Sequence, residues 1–109
     1  LAFFNETQRV ETSRKLAERL VRLSTNDEQR MNYLFRLLVS RDPKETELKV
    51  LSDLLLQART RFRSTTEDAK SLLSLGMSKL DETLDPVEVA AWTQVASTAL
   101  ASDPAILLY

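Results

Sequence analysis

The residues that could do chemistry gather in two short stretches. Asp81 and Glu82, with Asp85 and Glu88 close behind, form the densest carboxylate group in the chain. Such acids serve calcium binding or general acid–base catalysis. A calcium loop needs alternating oxygen ligands and a glycine at its sharp turn, and "DETLDPVE" supplies neither. The group therefore reads as a solvated loop running into a helix N-terminus. Arg59, Arg61 and Arg63 surround Phe62, a basic patch with an interleaved aromatic of the kind single-strand nucleic-acid binders use. On a helix, alternate residues point about 200° apart, so these guanidinium groups do not share one flat surface. They suit the negative end of a helix dipole instead.

Nucleophilic chemistry has little to draw on. The chain has no Cys and no His, which removes thiol nucleophiles, disulfides, the usual zinc sites, imidazole ligation of haem and the commonest general base. Its serines, Ser71 and Ser78-Lys79 among them, sit in no nucleophile elbow, no Ser-x-x-Lys constellation and no phosphate loop. The expectation is a segment without catalytic, cofactor-binding or metal-ligating residues of its own.

Helices must position whatever chemistry exists. At 109 residues, with 43% hydrophobic and 28% charged residues and a single Gly, the chain fits one domain, and the scarcity of Gly argues against a turn-rich β fold. The pattern predicts an all-α fold, a compact bundle of four to five helices. Asn5 with Gln8 reads as the cap of a first helix over 6–23, whose apolar side carries Val10, Leu16, Ala17, Leu20 and Leu23. Glu11 with Lys15, and Glu18 with Arg22, are spaced as i,i+4 pairs on its polar side. Thr25 and Glu28 read as a capping box for a second helix over 26–40, and Tyr33 and Leu37 widen its apolar face enough to make it the most buried. Asp42-Pro43 opens a third helix over 43–63, with Leu48, Leu51, Leu55, Ala58 and Phe62 as its seam. Thr65 or Thr66 caps a short fourth helix over 66–75, stopped by Gly76. Asp85-Pro86 starts a fifth over 86–102, which Asp103-Pro104 closes.

The fifth helix carries the one Trp, in "DPVEVAAWTQVASTAL", among Ala90, Ala91, Ala96 and Ala99. Small neighbours let another helix approach closely while the indole fills the space beside them. Core anchoring is the expected role of Trp92, against the first or second helix, with Leu20, Leu34, Phe35 or Leu38 among its contacts. The alternative is an interface in which Trp92 joins Ile106, Leu107, Leu108 and Tyr109 of the apolar tail to cover another domain.

Charge sets further bounds. The formal net charge of −1 gives no overall field for nucleic acid or an anionic membrane. Residues 1–41 carry eight basic and five acidic groups and residues 65–109 two and seven, so the two ends attract one another. No apolar run approaches the roughly 20 residues that span a bilayer. Leu1 in place of an initiating Met reads as the start of a piece of something longer.

"FFNETQRVETSRKLAERL", "YLFRLLVSRDPKETELKVLSDLL" and "VEVAAWTQVASTAL" together resemble the C-terminal domain of unknown function of planctomycete-type cytochrome-c-associated multidomain proteins. The likeness covers nearly the whole chain in the same order, and Ala90 to Thr93 is its most specific part. It departs at Thr7, where proline is common in the family, and over Leu100 to Ala105, where the family's Asn and acidic-aromatic pair are replaced. The resemblance implies an exported, periplasmic parent with haem in an upstream domain, and this segment as a non-catalytic helical accessory or interaction module whose partners are the upstream domains. The charge balance and the lack of a long apolar run argue for no nucleic acid and no direct membrane insertion, and self-association stays open. The alternative is that the segment contributes one wall of an enzyme or electron-transfer site completed by those upstream domains.

Overall fold

The computed structural model describes residues 6–74 and 81–101. Among them the chain forms five α-helices and no strand: α1 (Glu6–Leu23), α2 (Asp27–Val39), α3 (Glu45–Ser64), α4 (Thr66–Leu73) and α5 (Pro86–Ala101). The fold is the expected all-α bundle, and its helices match the expected ones to within about two residues at each end. The Asn5 cap, the Gly76 stop, Asp103-Pro104 and the tail from Ile106 to Tyr109 lie outside the described residues.

The most buried element is α5, not α2. Val89, Ala90, Ala91, Trp92 and Thr93 are consecutive and all buried, so this stretch is covered on every side. Its most extensive contact is with α1, followed by α3 and α4. The alanines supply the reason, because without bulky side chains three neighbouring helices can approach one axis closely. On α2, by contrast, Leu37 is 44% exposed and Tyr33 only partly buried, so the widened apolar face ends at the surface. Met31, Leu34 and Phe35 are the residues it gives to the core, where they join Leu20, Leu55, Phe62 and Trp92 in one continuous apolar cluster.

Helix ends follow local hydrogen bonding more closely than the spacing suggests. The cap of α2 is Asn26 rather than Thr25: its side-chain oxygen accepts from the Gln29 backbone N–H at 2.9 Å. At the other end Ser40 adopts a left-handed conformation, φ 59°, and donates its N–H to the Arg36 carbonyl. The third helix begins at Glu45 rather than Pro43, because Glu47 reaches back to accept the Lys44 N–H at 2.8 Å while Arg41 grips its carboxylate from the side. Thr65 both ends α3, donating its N–H to Arg61, and precedes α4, where its side chain makes no capping bond. Among the described residues only Asp85 makes the capping bond that the spacing predicts, its carboxylate accepting from the Val87 N–H at 2.9 Å.

Candidate functional site

Three helix ends converge beside Trp92, the N-termini of α2 and α5 and the C-terminus of α1, and each meets a charge that suits its dipole. Asp27 lies in the first turn of α2 and Glu88 in the first turn of α5, where positive helix ends favour carboxylates. Arg30, one turn into α2, donates to the Ser24 and Val21 carbonyls at the C-terminal end of α1, at 2.6 and 3.3 Å. Arg59 reaches in from α3. Its Nη1 and Nη2 donate to the two Asp27 oxygens at 2.7 and 2.8 Å, while Nε and Nη2 donate to Glu88 at 2.8 and 2.6 Å. One planar guanidinium thus holds two carboxylates bidentately, a geometry lysine cannot supply. Arg30 adds a bond to Glu88 at 3.2 Å, and its guanidinium carbon stands 5.8 Å from the centre of the Trp92 ring, within cation–π range.

Three members of this quartet are largely removed from water, and Asp27 is 46% exposed. The side chain of Arg30 is 6% exposed, and those of Arg59 and Glu88 17% and 19%. Burial pushes the Glu88 carboxyl up, but the hydrogen bonds from Arg59 and the charges of Arg59 and Arg30 together outweigh it and hold the carboxyl below its ordinary value. The Arg59 hydrogen bond does the same for Asp27 against a smaller burial cost. Both acids are therefore ionised at neutral pH, with their oxygens occupied by guanidinium donors. Ionised, neither acid has a proton to give, and every oxygen of the two carboxylates already accepts from an arginine. The quartet clamps four helices at one point.

The other residues singled out by the sequence separate in space. Asp81 binds Arg22 of α1 through Nη2 at 2.7 Å and accepts from the Thr83 hydroxyl and N–H, and these bonds, Thr83's first, lower its carboxyl to about 2. Asp85 caps α5, Glu88 belongs to the quartet, and Glu82 is exposed. The dense carboxylate run is thus divided among separate structural tasks. Among the described residues no group of three or more His, Cys, Asp or Glu is placed to hold a metal ion. The arginine run divides too: Arg59 turns inward, Arg61 lies over Phe62 at 5.2 Å and pairs with Asp68 at 3.5 Å, and Arg63 is exposed. They form no continuous basic surface.

Trp92 is fully buried, so in this chain its indole is a core residue and offers no surface to another domain. Among the described residues its N–H finds no acceptor. A second buried polar feature lies on α1, where a count of apolar positions alone passes over it. Arg14 and Glu18 of α1, 0% and 6% exposed, face inward and pair at 3.8 Å, and Glu18 also accepts the Asp81 N–H at 2.8 Å. The expected Glu18–Arg22 pair is therefore replaced: Glu18 turns toward the interior and Arg22 crosses to Asp81. The apolar side expected of the first helix is not clean, since its covered face includes Ser13, Arg14 and Glu18 beside Ala17 and Leu20.

Comparison with family models, curated proteins and solved structures finds no match.

Proposed function

We propose that this chain is a non-catalytic helical accessory module of an exported, haem-associated multidomain protein, and that it packs against or presents that protein's upstream domains. The Arg59 clamp is the observation that carries the non-catalytic part. The two acids of the clamp, Asp27 and Glu88, have carboxyls held below their ordinary values and are each bound by Arg59 and Arg30, which is the reverse of what a general acid requires. The parent's haem and its export rest on the resemblance of "VEVAAWTQVASTAL" and the two upstream stretches.

The test compares the parent protein with a version lacking residues 1–109. Unchanged haem absorbance, haem reduction and turnover per folded molecule, with a lower unfolding temperature or weaker domain association, is the expected result. Loss of haem reduction or turnover while the upstream domains stay folded sinks the accessory reading and favours a shared active-site wall.

A further inference from the structure

The outer face of α1 carries a row of exposed cations, two of which, Lys15 and Arg19, the fold does not use. Lys15, Arg19 and Arg22 are spaced i, i+4, i+7, which sets them within an arc of about 60° along about 10 Å of helix. All three are exposed, and with Thr12 and Leu16 they line a shallow surface depression. Lys15 and Arg19 have no hydrogen-bond or ion-pair partner among the described residues. Arg22 is 51% exposed even while it holds Asp81. The acids that α1 could have used to neutralise this row are turned elsewhere: Glu18 is buried against Arg14, and Glu11, at the margin of the arc, is engaged within the chain. On the flank, Leu16 is partly buried and Leu23 is 51% exposed.

We propose that this ridge docks an acidic amphipathic helix of a neighbouring protein domain, its carboxylates at i, i+4, i+7 facing Lys15, Arg19 and Arg22 and its apolar side against Leu16 and Leu23. The proposal rests on the accessory-module reading and names the chemistry of the partner. Charge complementarity selects the occupant. Three cations in one short row match about two turns of an acidic helix, whereas a nucleic-acid strand or lipid surface needs a longer basic tract than a chain of net charge −1 presents. The leucines on the flank offer apolar contact that a phosphate backbone cannot return.

The experiment measures fluorescence anisotropy of a labelled helical peptide, with Glu at three successive positions of that spacing and Leu along one flank, against the 109-residue chain. Its counterpart carries Gln in place of Glu. The Glu peptide should bind at least about tenfold more tightly at 50 mM salt, with the preference shrinking at 500 mM as screening shortens the reach of surface charges. K15E/R19E should abolish the preference and K15Q/R19Q reduce it, both with unchanged circular dichroism and unfolding midpoint, because both side chains are exposed. Equal binding of the two peptides, or a preference that survives K15E/R19E, overturns the proposal. So does tighter binding of a 20-nucleotide oligothymidylate or of phosphatidylglycerol vesicles through the same two residues. The peptide is titrated against this chain alone, so failure here beside a positive deletion result in the parent removes the ridge and keeps the module.

Discussion

Replacing Trp92 by alanine removes the largest fully buried side chain of the described core. The indole buries on the order of 200 Å², and at about 25 cal/mol per Å² its transfer is worth roughly 5 kcal/mol. Arg30 at 5.8 Å from the ring centre adds about 1 kcal/mol of cation–π attraction. Against these stands the indole N–H, buried without an acceptor among the described residues, which costs about 1–2 kcal/mol. The balance is a loss of about 4–5 kcal/mol for Trp92→Ala, within the range of about 3–5 kcal/mol seen for large-to-small aromatic changes in cores. Trp92→Phe keeps most of the apolar area and removes the orphaned donor, so its loss should stay below about 2 kcal/mol. Urea unfolding followed by far-ultraviolet circular dichroism measures both, and the wild-type emission should be blue-shifted. A cost below about 1 kcal/mol for the alanine variant, with water-like emission in the wild type, refutes the placement of Trp92 at the centre of the core.

The clamp predicts that Arg59→Met costs about 2–3 kcal/mol in the same urea assay, because two carboxylates lose their shared partner, and that Arg59→Lys recovers less than half of it. Acid should destabilise the fold: Asp27, Glu47 and Glu88 have carboxyls held below their ordinary values and Asp81 one lowered to about 2, so their contribution is complete above the unfolded values near 4 and is lost as pH falls through the folded ones. Unfolding midpoints should drop steeply between about pH 4 and pH 2, and a flat or rising profile there contradicts the pairing. Ser40→Gly should stabilise the chain by about 0.5–1 kcal/mol, read as a higher melting temperature, since glycine takes the left-handed C-cap of α2 without the steric cost serine bears.

Helix grammar was legible wherever it depends on neighbours in sequence. The Asp85 cap, the five helical stretches and the packing role of Trp92 all follow from spacing and from the cost of leaving a large apolar ring in water. Two helix starts differ from the pattern: Asn26 took the place of Thr25, and Glu47 moved the start of α3 past Pro43, because a single well-aimed side-chain bond decides between near-equal ends. The quartet was not visible, since Arg59 meets partners 32 and 29 residues away. A signal for it did exist. Arg30 stands one turn before Leu34, Glu88 one turn before Trp92, and Arg59 one turn after Leu55, so each charge occupies a core-facing helical position that only an opposite buried charge makes tolerable. The same reading applies to Arg14 and Glu18, which bracket Ala17. An apolar-only count of helix faces passes over such residues, and it also misjudged α2, because tertiary contact with α5 rather than the width of an apolar stripe decides which helix is most covered.

The claim that the convergent charges beside Trp92 form a clamp rather than a site of proton transfer is tested most directly by titrating the Asp27 and Glu88 side-chain carboxyls by carbon-13 nuclear magnetic resonance in the chain itself. Each has its carboxyl lowered, and the two are joined by Arg59. Both should titrate below the ordinary carboxylate values of about 4, and Arg59→Met should move both upward while leaving Asp81, held by Arg22 and Thr83, where it is. A Glu88 carboxyl that titrates near 6 or above in the folded chain would mean that burial wins over the arginines, which is the signature of a general acid, and would contradict the non-catalytic account.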